Sequence, residues 1–72
     1  MTPNEAYEKV KSETGEEATS CFEMEKLYLF GTNELNNMFS VNKETGEVRV
    51  FNPIFDCRSV DFANKKPIKD FR

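Results

Sequence analysis

The 72-residue sequence contains no histidine and no tryptophan, and it has only two cysteines, three glycines and three prolines. Histidine is the usual general base and a common metal ligand, so its absence argues against hydrolase-type catalysis and against zinc sites. Gly15, Gly31 and Gly46 are isolated, so the chain has no Gly-rich phosphate loop. We therefore expect no catalytic residues, no cofactor and no metal ion.

The sequence also lacks an apolar run long enough to span a bilayer, and its first residues do not resemble a signal peptide. We therefore expect a cytoplasmic protein without membrane contact. In that compartment thiols stay reduced, so Cys21 and Cys57 are interpreted as two small buried side chains, in preference to a disulfide or a redox pair.

What the sequence does contain is typical of one small globular domain. Apolar residues make up 38% of the chain and charged residues 32%, and seven phenylalanines and two tyrosines supply much of the core volume. The net charge is −3, with an excess of glutamate before residue 27 and an excess of lysine and arginine after residue 57. This polarity lets the two ends attract each other or present oppositely charged faces to partners.

The N-terminal residues carry the clearest helix signal. Thr2 is a suitable N-cap, Pro3 suits the first helical position, and Glu5 stands where a capping box needs an acid. Gly15 supplies a C-terminal stop. The pattern predicts a helix over about residues 3–14 whose buried side is formed by Ala6, Tyr7 and Val10.

The segment of about residues 19–30 is ambiguous between strand and helix. Ser20 and Glu23 fit a second capping box, with Gly31 as a stop. At a helical period, however, the apolar residues scatter around the whole circumference. We favour a strand, with Phe22 and Tyr28 on the same face.

Residues 38–52 predict a β-hairpin around the four-residue loop Lys43–Gly46. In that register Val41 faces Val48 on one side of the sheet, together with Phe39 and Val50. Met38 faces Phe51 on the other side, where something must cover two large apolar groups.

This hairpin resembles that of a cadherin repeat, which has a similar apolar pattern around a Thr-Gly turn. The acidic calcium motifs of that family have no counterpart here, so the resemblance implies a hairpin and no function. The matching residues are Phe39, Val41, Asn42, Thr45, Gly46, Val48 and Val50.

Pro53 ends the second hairpin strand, because proline cannot donate to a central ladder. Residues 54–62 fit a fourth strand or a short helix, and residues 63–72 fit a loose basic tail. The predicted fold is therefore α+β, a single domain with an N-terminal helix on a mainly antiparallel meander of three or four strands.

By elimination, we expect a non-enzymatic protein-binding module: an inhibitor, adaptor or small subunit that acts by steric occlusion. Small acidic chains of this kind are typical of phages and mobile elements. A homodimer is a further expectation, because so small a core gains from a partner. The expected contact patch combines apolar residues with arginine, and its members are Met38, Arg49, Phe51, Ile54, Phe55 and Arg58.

The alternative is a small single-stranded nucleic-acid-binding protein, in which bases stack on aromatic rings within a basic groove. The acidic total charge argues against this alternative. The residues that would form the groove are Phe62, Lys65, Lys66, Lys69, Phe71 and Arg72.

Overall fold

The computed structural model describes residues 1–32, 38–52 and 64–72, which form one helix and five strands. All neighbouring strands are antiparallel, in the order β4-β3-β2-β1-β5. The predicted α+β class is confirmed. The described residues contain five strands, and residues 54–62, expected as a fourth strand or a short helix, lie outside them. The elements are α1 (Pro3–Thr14), β1 (Ser20–Glu23), β2 (Leu27–Gly31), β3 (Met38–Asn42), β4 (Val48–Phe51) and β5 (Lys66–Ile68).

Helix α1 begins and ends at the residues that its capping signals indicate. The Thr2 hydroxyl accepts the Glu5 backbone N–H at 3.2 Å, and the Glu5 carboxylate accepts the Thr2 N–H at 3.1 Å. Hydrogen bonding to the backbone and side chain of Thr2 lowers the pKa of Glu5. At the other end Gly15 adopts φ 75° and donates its N–H to the Lys11 carbonyl at 2.9 Å.

The β3–β4 hairpin has the predicted register, with Val41 opposite Val48 and Met38 opposite Phe51. The Asn42 side-chain oxygen accepts two backbone N–H groups of the loop, at 2.8 and 3.0 Å. Gly46 adopts φ 74°, a conformation that L side chains rarely take. The loop chemistry therefore sets the register locally.

Residues 20–31 form a hairpin, not the single strand that we expected. The chain reverses at Glu25 and Lys26, where the Met24 N–H donates to the Leu27 carbonyl at 2.9 Å. This turn uses no glycine, proline or asparagine, so the sequence contains no signal for it. Its consequence is that Phe22 and Tyr28, expected on one face, lie on opposite faces of the sheet.

The sheet is apolar on both faces. The helix-facing cluster lies between α1 and the sheet, and the second-face cluster lies on the opposite side. Buried members of the helix-facing cluster are Ala6, Tyr7, Val10, Ala18, Cys21, Tyr28, Phe30, Phe39, Val41 and Phe71. The second-face cluster consists of Met24, Leu29 and Phe51, with Phe22, Leu27 and Met38 packed against them.

The C-terminal residues do not form the loose tail that we expected. Strand β5 pairs with β1 at one edge of the sheet, and Phe71 is 4% exposed. Its ring makes edge-on contacts with Tyr7 and Phe30, at centroid distances of 5.7 and 6.0 Å. The Asn4 side-chain amide donates to the Phe71 carbonyl at 3.3 Å. An isolated aromatic near the chain end thus completes the core, which no local periodicity indicated.

We expect Thr2→Ala to lower the free energy of unfolding by about 1 kcal/mol, because it removes one half of the capping box. Urea denaturation with circular dichroism measures the change. Ser12→Ala is the matched control, since Ser12 is exposed in the last turn of the same helix, away from the Thr2 cap. Equal effects of the two substitutions would contradict the role of the cap.

Replacing Phe71 by alanine is expected to cost about 3–5 kcal/mol, since it removes a buried ring from the helix-facing cluster. Lys69→Ala, at an exposed position two residues earlier, is expected to change stability by less than about 0.5 kcal/mol. Thermal unfolding of both variants tests whether Phe71 belongs to the core. An unfolding temperature of Phe71→Ala equal to that of the wild type would contradict this position.

Candidate functional site

Strand β4 is an edge of the described sheet, and the hydrogen-bond pattern of the hairpin determines where its backbone groups point. The Asn42 N–H donates to the Glu47 carbonyl at 3.0 Å, so these residues form a hydrogen-bonded pair. Because such pairs alternate along an antiparallel ladder, the N–H and C=O of Arg49 face β3. The N–H and C=O groups of Val48 and Val50 therefore point away from β3, in the plane of the sheet. Strand β3 is the one described strand that pairs with β4.

The side chains along this edge are exposed as well. Val50 is 69% exposed, and Met1 is the other large hydrophobic residue that is exposed in the described part of the chain. Val48 is half-buried against the helix-facing cluster. The edge thus offers backbone donors and acceptors next to an uncovered apolar side chain, the combination that strand addition requires.

On the other face of the sheet, Arg49 of β4 forms an ion pair with Glu47, the residue just before the strand. The Arg49 Nε lies 2.8 Å from the Glu47 carboxylate oxygen, and both side chains are more than half exposed. This hydrogen bond raises the pKa of the Arg49 guanidinium. Since the pair is solvated, it contributes little to stability, and its charges remain available to a partner.

The position of β4 is supported by the loop that precedes it. The Lys43 ammonium lies 2.9 Å from the Glu23 carboxylate and 4.9 Å from the centre of the Tyr28 ring. The Lys43 backbone N–H also donates to the Lys26 carbonyl at 3.0 Å. These contacts tie the β3–β4 loop to the β1–β2 turn, so the hairpin that presents the edge is held to the rest of the sheet.

The opposite edge, β5, carries residues that discourage pairing. Pro67 has no backbone N–H, and Lys66 and Lys69 are exposed beside it. Proline and lysine on an edge strand are established protections against strand addition. Strand β4 has neither residue, so the two edges of the sheet differ in their capacity to accept another strand.

The expected contact patch is divided between interior and surface. Phe51 is 4% exposed within the second-face cluster, Met38 is half-buried beside it, and Arg49 is exposed. Ile54, Phe55 and Arg58 lie outside the described residues. Of the described members, Arg49 alone is fully at the surface. Val50 was not predicted as a contact residue. The alternation of apolar and polar residues assigns Val50 to the inner face of the sheet, and it does not reveal that β4 is an edge strand.

The expected nucleic-acid groove is also divided. The buried Phe71 ring is occupied by core contacts, and the Arg72 guanidinium donates to the Ala18 carbonyl at 2.8 Å. The Lys65 ammonium lies 5.4 Å from the Phe22 ring centroid. Lys66 and Lys69 are exposed, and Phe62 lies outside the described residues. Among the described residues of the expected groove, no exposed phenylalanine is available for stacking with a base.

Cys21 is the described cysteine, and the residue is 1% exposed in the helix-facing cluster. Burial, with a smaller contribution from the Glu23 charge, raises its pKa to about 11. A thiol with so high a pKa is protonated at neutral pH and is a poor nucleophile. In residues 1–32, 38–52 and 64–72, no group of three potential ligand side chains could hold a metal ion.

The described residues thus form a small α+β unit in which no other described strand than β3 pairs with the edge strand β4. No protein-family model matches the chain, and searches of curated proteins and of solved structures find no significant match. Among the helices of the described residues, none has the length and apolar character needed to cross a bilayer.

Cys21 is expected to resist iodoacetamide in the folded protein at pH 8, because the raised pKa keeps its thiol protonated and the core excludes the reagent. After unfolding in urea it should react at the rate of a model peptide. Peptide mass spectrometry measures the two rates, and equal rates would refute the buried position.

Proposed function

We propose that this chain is a non-enzymatic protein-binding module whose contact surface is the outer edge of β4. The observation that carries the proposal is an edge with which β3 alone of the described strands pairs: the backbone groups of Val48 and Val50 point away from β3, and Val50 is 69% exposed. An extended segment of a partner protein adds there as a further antiparallel or parallel strand, and its backbone replaces water as the hydrogen-bonding partner.

The module acts by steric occlusion, as an inhibitor, adaptor or small subunit, and no bond is made or broken. Main-chain hydrogen bonds supply affinity, and the side chains beside the edge supply selectivity. Val50 offers an apolar contact on the helix side of the sheet, while Glu47 and Arg49 offer one charge of each sign on the other side. A matching partner segment has a small apolar residue flanked by charged ones.

The proposed contact surface is therefore the β4 edge, in place of the apolar contact patch that the sequence predicted. The Phe51 ring is buried in the second-face cluster, so it stabilises the packing of β4 and does not contact a partner. Arg49 keeps its expected place at the contact surface. Because strand addition is also open to a second copy of the chain, the homodimer expected from chain length is a form of the same contact.

We expect Val50→Pro to abolish partner binding while the fold persists. The Val50 N–H points outward, so proline removes a donor from the edge without removing a bond to β3. Val50→Thr is the matched control, because it keeps the N–H and suits a strand. The three tagged proteins are used for pull-downs from extract with and without nuclease, washed at low and at high salt. Circular dichroism checks their folding.

A protein retained by the wild type and Val50→Thr but lost with Val50→Pro supports the proposal. Identical retention by all three proteins contradicts it. Retention that requires nucleic acid and disappears at high salt or in Lys66→Ala would instead favour the nucleic-acid alternative. If Val50→Pro unfolds, Val50→Lys replaces it, since an exposed lysine at an edge also blocks strand addition.

A further inference from the structure

On the helix side of the sheet, the β4 edge is apolar at one end and cationic at the other. Val50 is 69% exposed and Val48 is half-buried, and both lie on this face because they are two residues apart on one strand. At the loop end, Met1 and Lys9 lie over Gly46. A Cβ added to this glycine would be 3.4 Å from the Met1 methyl carbon and 2.7 Å from the Lys9 ammonium.

The Lys9 ammonium has no carboxylate partner within the described residues, where the ion pairs involve other cations. Glu5, one turn earlier on α1, is bound to Thr2 in the capping box. Glu47, just before β4, is bound to Arg49 on the other face of the sheet. Lys9 is also half-buried, so its charge is screened less than that of a fully exposed lysine. A carboxylate of a bound segment is the partner that this position lacks.

An antiparallel strand on this edge would present its side chains in a fixed order. The outward N–H and C=O groups of Val48 and Val50 each form a hydrogen-bonded pair with one partner residue. Paired residues share a face, so two partner residues separated by one lie beside the two valines on the helix side. Because the partner runs in the opposite direction, the residues after the one opposite Val48 extend towards Gly46 and the Lys9 ammonium.

We propose that the preferred occupant of the β4 edge is an antiparallel segment of a partner protein that has two apolar residues separated by one polar residue and followed within two residues by a glutamate. The inference rests on the proposed function. The two apolar side chains contact Val50 and Val48, and the glutamate pairs with Lys9. Every described pair of strands is antiparallel, and antiparallel pairing is the more stable per residue.

The glutamate determines the register and direction of the bound segment. The backbone groups of Val48 and Val50 are alike, so hydrogen bonds alone also accept a segment shifted by two residues or running the other way. A carboxylate after the apolar pair reaches Lys9 in the proposed register and direction. A partly solvated ion pair adds modest affinity, so we expect about threefold tighter binding than without the charge.

Three capped peptides test this segment by NMR titration of the full ¹⁵N-labelled chain. The first peptide has the order valine, threonine, valine, threonine, glutamate. The second has glutamine in place of glutamate, and the third has the first sequence reversed. The amide signals of Val48 and Val50 report binding at the edge. The first peptide is expected to bind about threefold more tightly than the other two, and this preference should disappear at about 1 M salt.

Lys9→Met removes the charge and keeps an apolar side chain over Gly46, so the first two peptides should bind this variant equally. Lys69→Met is the matched control, because Lys69 is exposed and remote from β4, and it should keep the preference for glutamate. Circular dichroism checks folding, and Lys9→Gln replaces Lys9→Met if the latter unfolds. A preference for glutamate that persists without the Lys9 charge overturns the proposal.

The proposed segment and the proposed function fail in different ways. Peptides that shift the Val48 and Val50 amides with no preference for glutamate overturn the segment and leave the proposed function standing. The same conclusion holds if no peptide shifts these amides while a partner is still lost with Val50→Pro. If no peptide shifts them and Val50→Pro retains the partner, the edge is not a binding surface and both proposals are wrong.

Discussion

The rest of this fold depends on a central strand that is buried on both faces. In β2, Leu29 and Phe30 are adjacent in sequence and both are fully buried, so they point to opposite sides of the sheet. A strand of this kind must have a neighbour on each side and a cover on each face. Helix α1 and Phe71 cover the Phe30 side, and β1 and β3 satisfy the two edges of β2.

This constraint also creates the surface on which function is proposed. A flat arrangement of strands ends in two edges unless the sheet closes on itself, and each edge exposes backbone donors and acceptors. Here the β5 edge is short and carries Pro67 and lysines. Strand β4 exposes Val50 and carries Arg49, which pairs with Glu47 just before the strand. The asymmetry between the edges, more than any cleft or reactive side chain of the described residues, distinguishes this small domain.

Features that depend on neighbouring residues followed from the sequence. The Thr2–Glu5 capping box and the helix end at Gly15 were predicted because both are local: two side chains bond backbone groups three residues away, and glycine readily adopts a left-handed conformation. The β3–β4 register was predicted because the Asn42 and Gly46 loop chemistry is local. The β1–β2 turn was missed because Glu25 and Lys26 reverse the chain without any residue that favours turns.

The sequence by itself determined the α+β class, the bounds of the helix and the pairing of the second hairpin, since caps, turn residues and alternation act over a few residues. Only the tertiary structure decided that Phe71 enters the core, that Phe51 is interior and that Val50 is exposed. These outcomes depend on which strand lies at an edge and which segment returns to cover the sheet. Contacts between residues as far apart in sequence as Tyr7 and Phe71 determine the strand order and the segment that covers the sheet. Such contacts leave no local sequence pattern.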